Sequence, residues 1–123
     1  TCGSGYIHGV IEEKIGSTSD LYGTLKSLCH ADDGSCYHGI GHGLMFYTNN
    51  DVDKSIEVCD SLVTNFARRY CSEGVFMENF NTDQKLHPSK YLDSVDPFAI
   101  CRVQSKDYQK GVCYFYACRD SKR

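Results

Sequence analysis

Apolar residues recur along the chain at the three- and four-residue spacings of amphipathic helices, in segments separated by short polar turns. The first two segments lie within 5–13 and 20–29, and the next two within 36–47 and 52–63. In the third pair, one helix is predicted to start at Cys71, and its partner starts at Asp96-Pro97, where proline suits a first helical turn. A polar connection, Asn81 to Val95, separates those two helices.

A last apolar segment, from Asp107 to Arg119, is predicted to close the fold as a further helix. The aromatic run Tyr114-Phe115-Tyr116 leaves a short strand as the competing interpretation. Convincing alternation of apolar and polar residues is absent elsewhere in the sequence, which favours the helix.

Three stretches of the chain repeat one motif, and it sets the expected architecture. Each opens with a cysteine, has glycine three positions later, and has histidine or methionine six positions later: His8, His42 and Met77. The opening cysteines are 34 and 35 positions apart, a period typical of stacked supersecondary units. The predicted fold is all-α: one domain, a short α-solenoid of three antiparallel helix pairs (units 2–35, 36–70 and 71–112) with a closing segment 113–123, stapled by disulfides.

Eight cysteines in 123 residues predict a disulfide framework made in an oxidising compartment. A structural zinc site is disfavoured because the sequence has no C-x-x-C pair. An internal register would pair Cys2 with Cys29, Cys36 with Cys59, Cys71 with Cys101, and Cys113 with Cys118. A connecting register would pair Cys29 with Cys36, Cys59 with Cys71, and Cys101 with Cys113. The connecting register is favoured because its loops are short, and it leaves Cys2 and Cys118 to pair outside the domain or between protomers.

Charge and hydropathy narrow the classes of partner. The net charge of −3 gives no overall basic field that would attract nucleic acid. Apolar runs long enough to span a bilayer are absent from the sequence. With no signal peptide and no initial methionine, the sequence is interpreted as a mature secreted, periplasmic or cell-surface product, or as a segment of a longer chain.

One part of the chain carries a resemblance to a known family. It contains C-H-A-D-D-G-S-C from Cys29 to Cys36, a helix that ends in L-M-F-Y at Tyr47, and a second helix, D-V-D-K-S-I-E-V-C, that ends at Cys59. Over about residues 20–60 this layout resembles the secreted, cysteine-rich branch of the tetratricopeptide-like αα repeats. The resemblance implies an extracytoplasmic binding scaffold with no particular chemistry.

The histidines suggest a metal site. His38 and His42 are spaced i, i+4 and share a helix face, so both imidazoles can bind one transition-metal ion. His8 and Glu12 have the same spacing. A row of His8, His42 and Met77 would suit copper, whereas Glu12, Glu73 or Glu78 could complete a zinc or iron site. The alternative is that the histidines are structural and Met77 belongs to the core.

The glycines near this motif need an explanation, because each costs roughly 1 kcal/mol in a helix interior. Gly5, Gly39 and Gly74 share one repeat position, which predicts close packing of neighbouring helices there. Gly41 and Gly43 flank His42 and are not explained by the repeat.

Three functions follow from the sequence. The leading one is a protein-binding or self-assembling scaffold, with a candidate interface among the tyrosines of the later chain: Tyr70, Tyr91, Tyr108, Tyr114 and Tyr116. The alternative is a copper- or zinc-binding protein. An enzyme is disfavoured because the sequence indicates no nucleophile and base, and the H-E-x-x-H motif of metallohydrolases is absent.

Overall fold

A computed structural model describes residues 28–92 and 95–120 of the chain. These residues form five helices: α1 (Gly34–Tyr47), α2 (Val52–Asp60), α3 (Asn65–Asn81), α4 (Ala99–Arg102) and α5 (Asp107–Asp120). They contain no strand, so the all-α prediction is confirmed for the described residues. The run 114–116, for which a strand was the alternative, lies inside α5. The predicted helix 5–13 and nearly all of its partner lie outside the described residues.

Side-chain caps define where the first three helices begin. Asp33 accepts a hydrogen bond from the Cys36 amide at 3.0 Å, Asp51 accepts one at the start of α2, and Thr64 accepts one from the Ala67 amide at 3.1 Å. The Thr64 cap corrects the predicted start of the third unit. α3 begins at Asn65 rather than at Cys71, because Ala67 is buried and adds an earlier turn to the packed face.

Two other predicted helices are shorter in the structure. α2 ends at Asp60, so Leu62 reaches the core from the following turn while Val63 is 70% exposed. The helix predicted to start at Asp96-Pro97 is reduced to the four residues of α4. The Asp96 carboxylate accepts from the Phe98 amide, which holds the preceding residues in a turn.

The core is organised around α3, which packs against α1, α2 and α5, while α4 packs against α5. Its apolar face and that of α1 supply the following fully buried side chains: Ile40, Leu44, Met45, Val75, Phe76 and Phe80. The shared core therefore holds α1 and α3 against each other, and this fixes the relative positions of their surface side chains.

The helices α1 and α3 cross with their backbones in contact at Gly41 and Gly74. A Cβ on Gly41 would lie 2.7 Å from the Val75 amide nitrogen and 2.8 Å from the Gly74 Cα, and still closer to the carbonyl oxygen of Cys71. A Cβ on Gly74 would meet the carbonyl oxygen of His38. Close packing at Gly74 was predicted. The residue that packs against it is Gly41, which lies two residues after the repeat-aligned Gly39 on α1. The crossing therefore accounts for a glycine that the repeat left unexplained.

The three described disulfides follow the connecting register. Their Cα atoms are 5.8, 5.5 and 5.4 Å apart, inside the usual range, for the pairs Cys29–Cys36, Cys59–Cys71 and Cys101–Cys113. The second links α2 to α3, and the third links α4 to α5. Each disulfide restricts the unfolded chain and thereby adds roughly 2–4 kcal/mol to the stability of the folded state. Cys118 is an exposed free thiol, and Cys2 lies outside the described residues.

Candidate functional site

A cluster of polar side chains lies beside the glycine crossing of α1 and α3. His38 precedes Gly41 by three residues, and Met77 follows Gly74 by three residues, so each is about one helical turn from the point of closest approach. His42 is on the same face of α1 as His38, because the two are four residues apart. The close backbones therefore bring two histidines from one helix against a methionine from the other.

Three potential metal-donor atoms meet in this cluster. His38 Nε2 is 3.0 Å from His42 Nε2 and 3.3 Å from Met77 Sδ. The two imidazole rings have centroids 4.8 Å apart and are tilted by 48°. The nitrogens that face each other are the Nε2 atoms of both histidines. These two Nε2 atoms and the Met77 sulfur therefore lie close together.

The other nitrogen of each histidine faces a carboxylate. His42 Nδ1 is 2.8 Å from Glu78 Oε1, and His38 Nδ1 is 3.7 Å from Glu73 Oε1. Carboxylates in these positions favour a hydrogen on Nδ1 and leave the Nε2 lone pair for a ligand, an arrangement typical of metal-bound histidines.

Glu73 is itself held by neighbours. Its carboxylate is 3.8 Å from Arg69 Nε one turn earlier on α3, and the Tyr116 hydroxyl of α5 lies near enough to lower its pKa. Burial raises the pKa of the Glu73 carboxyl, against the lowering effects of Arg69 and Tyr116. Burial also raises the pKa of the Tyr116 hydroxyl, and the Glu73 charge adds to this effect. α5 is thereby connected to the histidine pair through Glu73.

The proton positions in this cluster restrict what can lie between the two Nε2 atoms. If His42 donates from Nδ1 to Glu78, its Nε2 carries a lone pair, and a hydrogen bond between the rings requires a hydrogen on His38 Nε2. A neutral His38 would then turn an Nδ1 lone pair toward the Glu73 carboxylate, which is repulsive. A second proton on His38 would remove this repulsion, and so would a cation bound between two Nε2 lone pairs.

The side chains of the cluster are partly exposed to solvent. The side chains of His38 and His42 are 25% and 12% exposed, and those of Glu73 and Glu78 are 20% and 19% exposed. An ion can therefore enter without unfolding the helices, while most of each ring is held by packing.

The structure brings together five of the residues that the sequence singled out: His38, His42, Glu73, Met77 and Glu78. Glu78 was predicted as a ligand, but its carboxylate faces Nδ1 of His42 and so orients that ring. His8 and Glu12 lie outside the described residues. Within 28–92 and 95–120, three or more His, Cys, Asp or Glu side chains are nowhere grouped to hold one ion, and the atom beside the histidine pair is the Met77 sulfur. Tyr116 was not predicted here, because only the packing of α5 on α3 brings it to Glu73.

The tyrosines proposed as an interface have varied environments. Tyr91 donates to Asp51 Oδ1 at 3.1 Å and to Asp53 Oδ2 at 3.2 Å. Partial burial and these carboxylates raise the pKa of Tyr91 to about 12. Tyr108 donates to Asp60, and Tyr116 is buried. Tyr70 packs against Phe66 and Tyr114 against Phe98, so these rings contribute to packing within the domain.

Comparison with known proteins found no match to a protein family, to a curated protein or to a solved structure. Among the helices of the described residues, none has the length and apolar content required to cross a bilayer.

Proposed function

We propose that this protein binds a transition-metal ion, copper or zinc, through His38, His42 and Met77. The observation that carries the proposal is the orientation of the histidine pair: both Nε2 atoms face each other beside the Met77 sulfur, and both Nδ1 atoms face carboxylates. An ion between the Nε2 atoms would use both lone pairs and leave both Nδ1–H groups directed at Glu78 and Glu73.

The donor separations fit one ion. Two nitrogens each about 2.05 Å from a metal and 3.0 Å apart subtend an angle of about 94° at the ion. A sulfur about 2.3 Å from the same ion and 3.3 Å from His38 Nε2 gives an angle of about 98°. Both angles lie in the range between square-planar and tetrahedral coordination, so no large movement of either helix is required.

Metal binding is tested by titrating the dialysed, disulfide-intact chain with Zn(II) and Cu(II) by calorimetry, and with Cu(I) by competition. We expect one equivalent of at least one ion to bind, and His42→Ala to weaken that binding at least tenfold. His30→Ala is the matched control, because His30 is exposed and lies outside the cluster. If no ion binds stoichiometrically, or if His42→Ala binds as well as the unmodified protein, the proposed metal-binding function is wrong.

A second candidate is a protein-binding or self-assembling scaffold in an extracytoplasmic compartment, built as a short α-solenoid. The successive contacts of α1, α3 and α5 support the stacked arrangement, and three disulfides support an oxidising compartment. The exposed thiol of Cys118 and the 59% exposed ring of Phe115, both on α5, support self-association. Sedimentation of the oxidised protein tests it: assembly that Cys118→Ser abolishes favours linkage between chains, and a monomer at all concentrations opposes self-assembly.

A further inference from the structure

We infer that the ion held by His38, His42 and Met77 is monovalent copper, with the Met77 thioether as a ligand. This inference rests on the proposed metal-binding function and specifies its ion. The first argument is the chemistry of the donors. Thioether sulfur is a soft, neutral ligand that selects Cu(I), whereas zinc is bound by thiolate, imidazole and carboxylate. The carboxylates of Glu73 and Glu78 face the Nδ1 atoms, so among the described residues the donor atom beside the Nε2 pair is the Met77 sulfur.

Charge points to the same ion. Two neutral imidazoles and a thioether bring no negative charge into direct contact with the metal, and the carboxylates of Glu73 and Glu78 face the Nδ1 side of the rings. The cost of removing an ion from water rises with the square of its charge, so a monovalent ion is bound with less loss of hydration than a divalent one. A neutral donor set in a partly buried site therefore favours Cu(I) over Zn(II) and Cu(II).

The cysteine chemistry explains why the sulfur ligand would be methionine. All six cysteines at the described helix junctions are in disulfides and have no thiolate to offer a metal. In a compartment where thiols are oxidised in pairs, a thioether keeps its ligand character because it forms no disulfide. Met77 is also held in place, since it packs against the edge of the core.

The chain supplies its own control for the sulfur. It contains two methionines, and Met45 is fully buried in the core of α1 whereas Met77 is partly exposed beside His38. Replacing either with leucine keeps a similar volume and removes the thioether. Only the substitution at Met77 should affect the bound ion.

The experiment measures Cu(I) affinity of the full, disulfide-intact chain by anaerobic competition with a chromogenic Cu(I) chelator, and Zn(II) affinity by calorimetry. Met77→Leu should weaken Cu(I) binding at least tenfold and change Zn(II) binding less than twofold. Met45→Leu should change neither by more than twofold. X-ray absorption of the unmodified protein with one equivalent of Cu(I) should show a sulfur at about 2.3 Å and nitrogens at about 2.0 Å from the copper. This measurement does not depend on any variant being folded.

The outcomes separate the two proposals. If Cu(I) binds and Met77→Leu retains its affinity, or if no sulfur appears in the absorption spectrum, the thioether inference is overturned while the histidine site stands. Tighter binding of Zn(II) than of Cu(I) also overturns it. If neither Zn(II), Cu(II) nor Cu(I) binds the unmodified protein, the proposed function itself fails.

Discussion

The glycine crossing provides the sharpest test of how this domain is held together, because one substitution should have opposite effects at two positions. Gly41→Ala places a methyl group 2.7 Å from the Val75 amide nitrogen and 2.8 Å from the Gly74 Cα. These are backbone atoms, so no side-chain rotation can relieve the overlap. Gly111→Ala, in α5, places the same methyl group where no atom lies within 4 Å.

The expected magnitudes follow from two opposing contributions. Alanine is favoured over glycine in a helix interior by up to about 1 kcal/mol. At Gly41 the helices must move apart to restore ordinary contact with these atoms and with the still closer Cys71 carbonyl oxygen, and overpacking of this kind typically costs about 1–3 kcal/mol. Taking the upper part of that range for a backbone contact, Gly41→Ala should lose about 2 kcal/mol of unfolding free energy. Gly111→Ala should gain about 0.5–1 kcal/mol, because only the propensity contribution remains.

Urea denaturation of the oxidised variants, followed by circular dichroism at 222 nm, measures both effects. The slope of the unfolding free energy with urea should be unchanged, so that midpoint shifts report stability. A Gly41→Ala variant as stable as the unmodified protein would show that α1 and α3 do not approach as described. A Gly111→Ala variant that is equally destabilised would show that glycine is needed in these helices for a reason other than contact.

Three further predictions concern individual side chains. Asn50 has a φ of 64° and donates to the His87 carbonyl at 2.8 Å, so Asn50→Ala should cost about 2 kcal/mol in the same urea assay. Partial burial would raise the pKa of Asp60, but the hydrogen bond from Lys106 and its other cationic and hydroxyl neighbours hold that pKa below its usual value. This stabilisation is complete above the unfolded pKa and is lost as pH falls through the lower folded pKa, so Asp60→Asn should flatten the decline of melting temperature from pH 5 to pH 2. Glu78→Ala should weaken metal binding by about 10–100-fold in a competition titration, because His42 loses the acceptor that orients its ring.

Local sequence signals predicted much of the helical fold. The three- and four-residue apolar spacing located α1 and the start of α2, where the structure shows an Asp51 cap. The disulfide register followed from short loops, because a short connection between two helix ends places their cysteines within reach. The start of α3 was missed because the repeated cysteine was taken as the boundary, whereas the Thr64 hydroxyl caps the helix two turns earlier.

The contacts between helices were harder to predict, because they depend on how one helix is rotated against another. Repeat alignment predicted close packing at the position that Gly39 and Gly74 share, but it did not indicate that Gly41 would be the residue packed against Gly74. The i, i+4 spacing put His38 and His42 on one face, yet it contained no information on which nitrogen of each ring faces a carboxylate. That orientation depends on Glu73 and Glu78, which α3 carries and which reach α1 only across the crossing.

The close crossing and the donor cluster are parts of one arrangement. The His38 carbonyl oxygen occupies the space that a Gly74 side chain would fill, so the helix segment that carries His38 is held directly against the segment that leads to Met77. Any larger residue at Gly74 would push the two helices apart and lengthen the 3.3 Å separation of His38 Nε2 from Met77 Sδ, while the two histidines of α1 would stay together. A metal that needs only the histidines would tolerate that displacement, whereas one that needs the thioether would not. At the proposed copper site, the glycines of this crossing would set the separation of His38 from Met77 as well as the packing of the helices, and an added Cβ would outweigh the higher helix propensity of alanine.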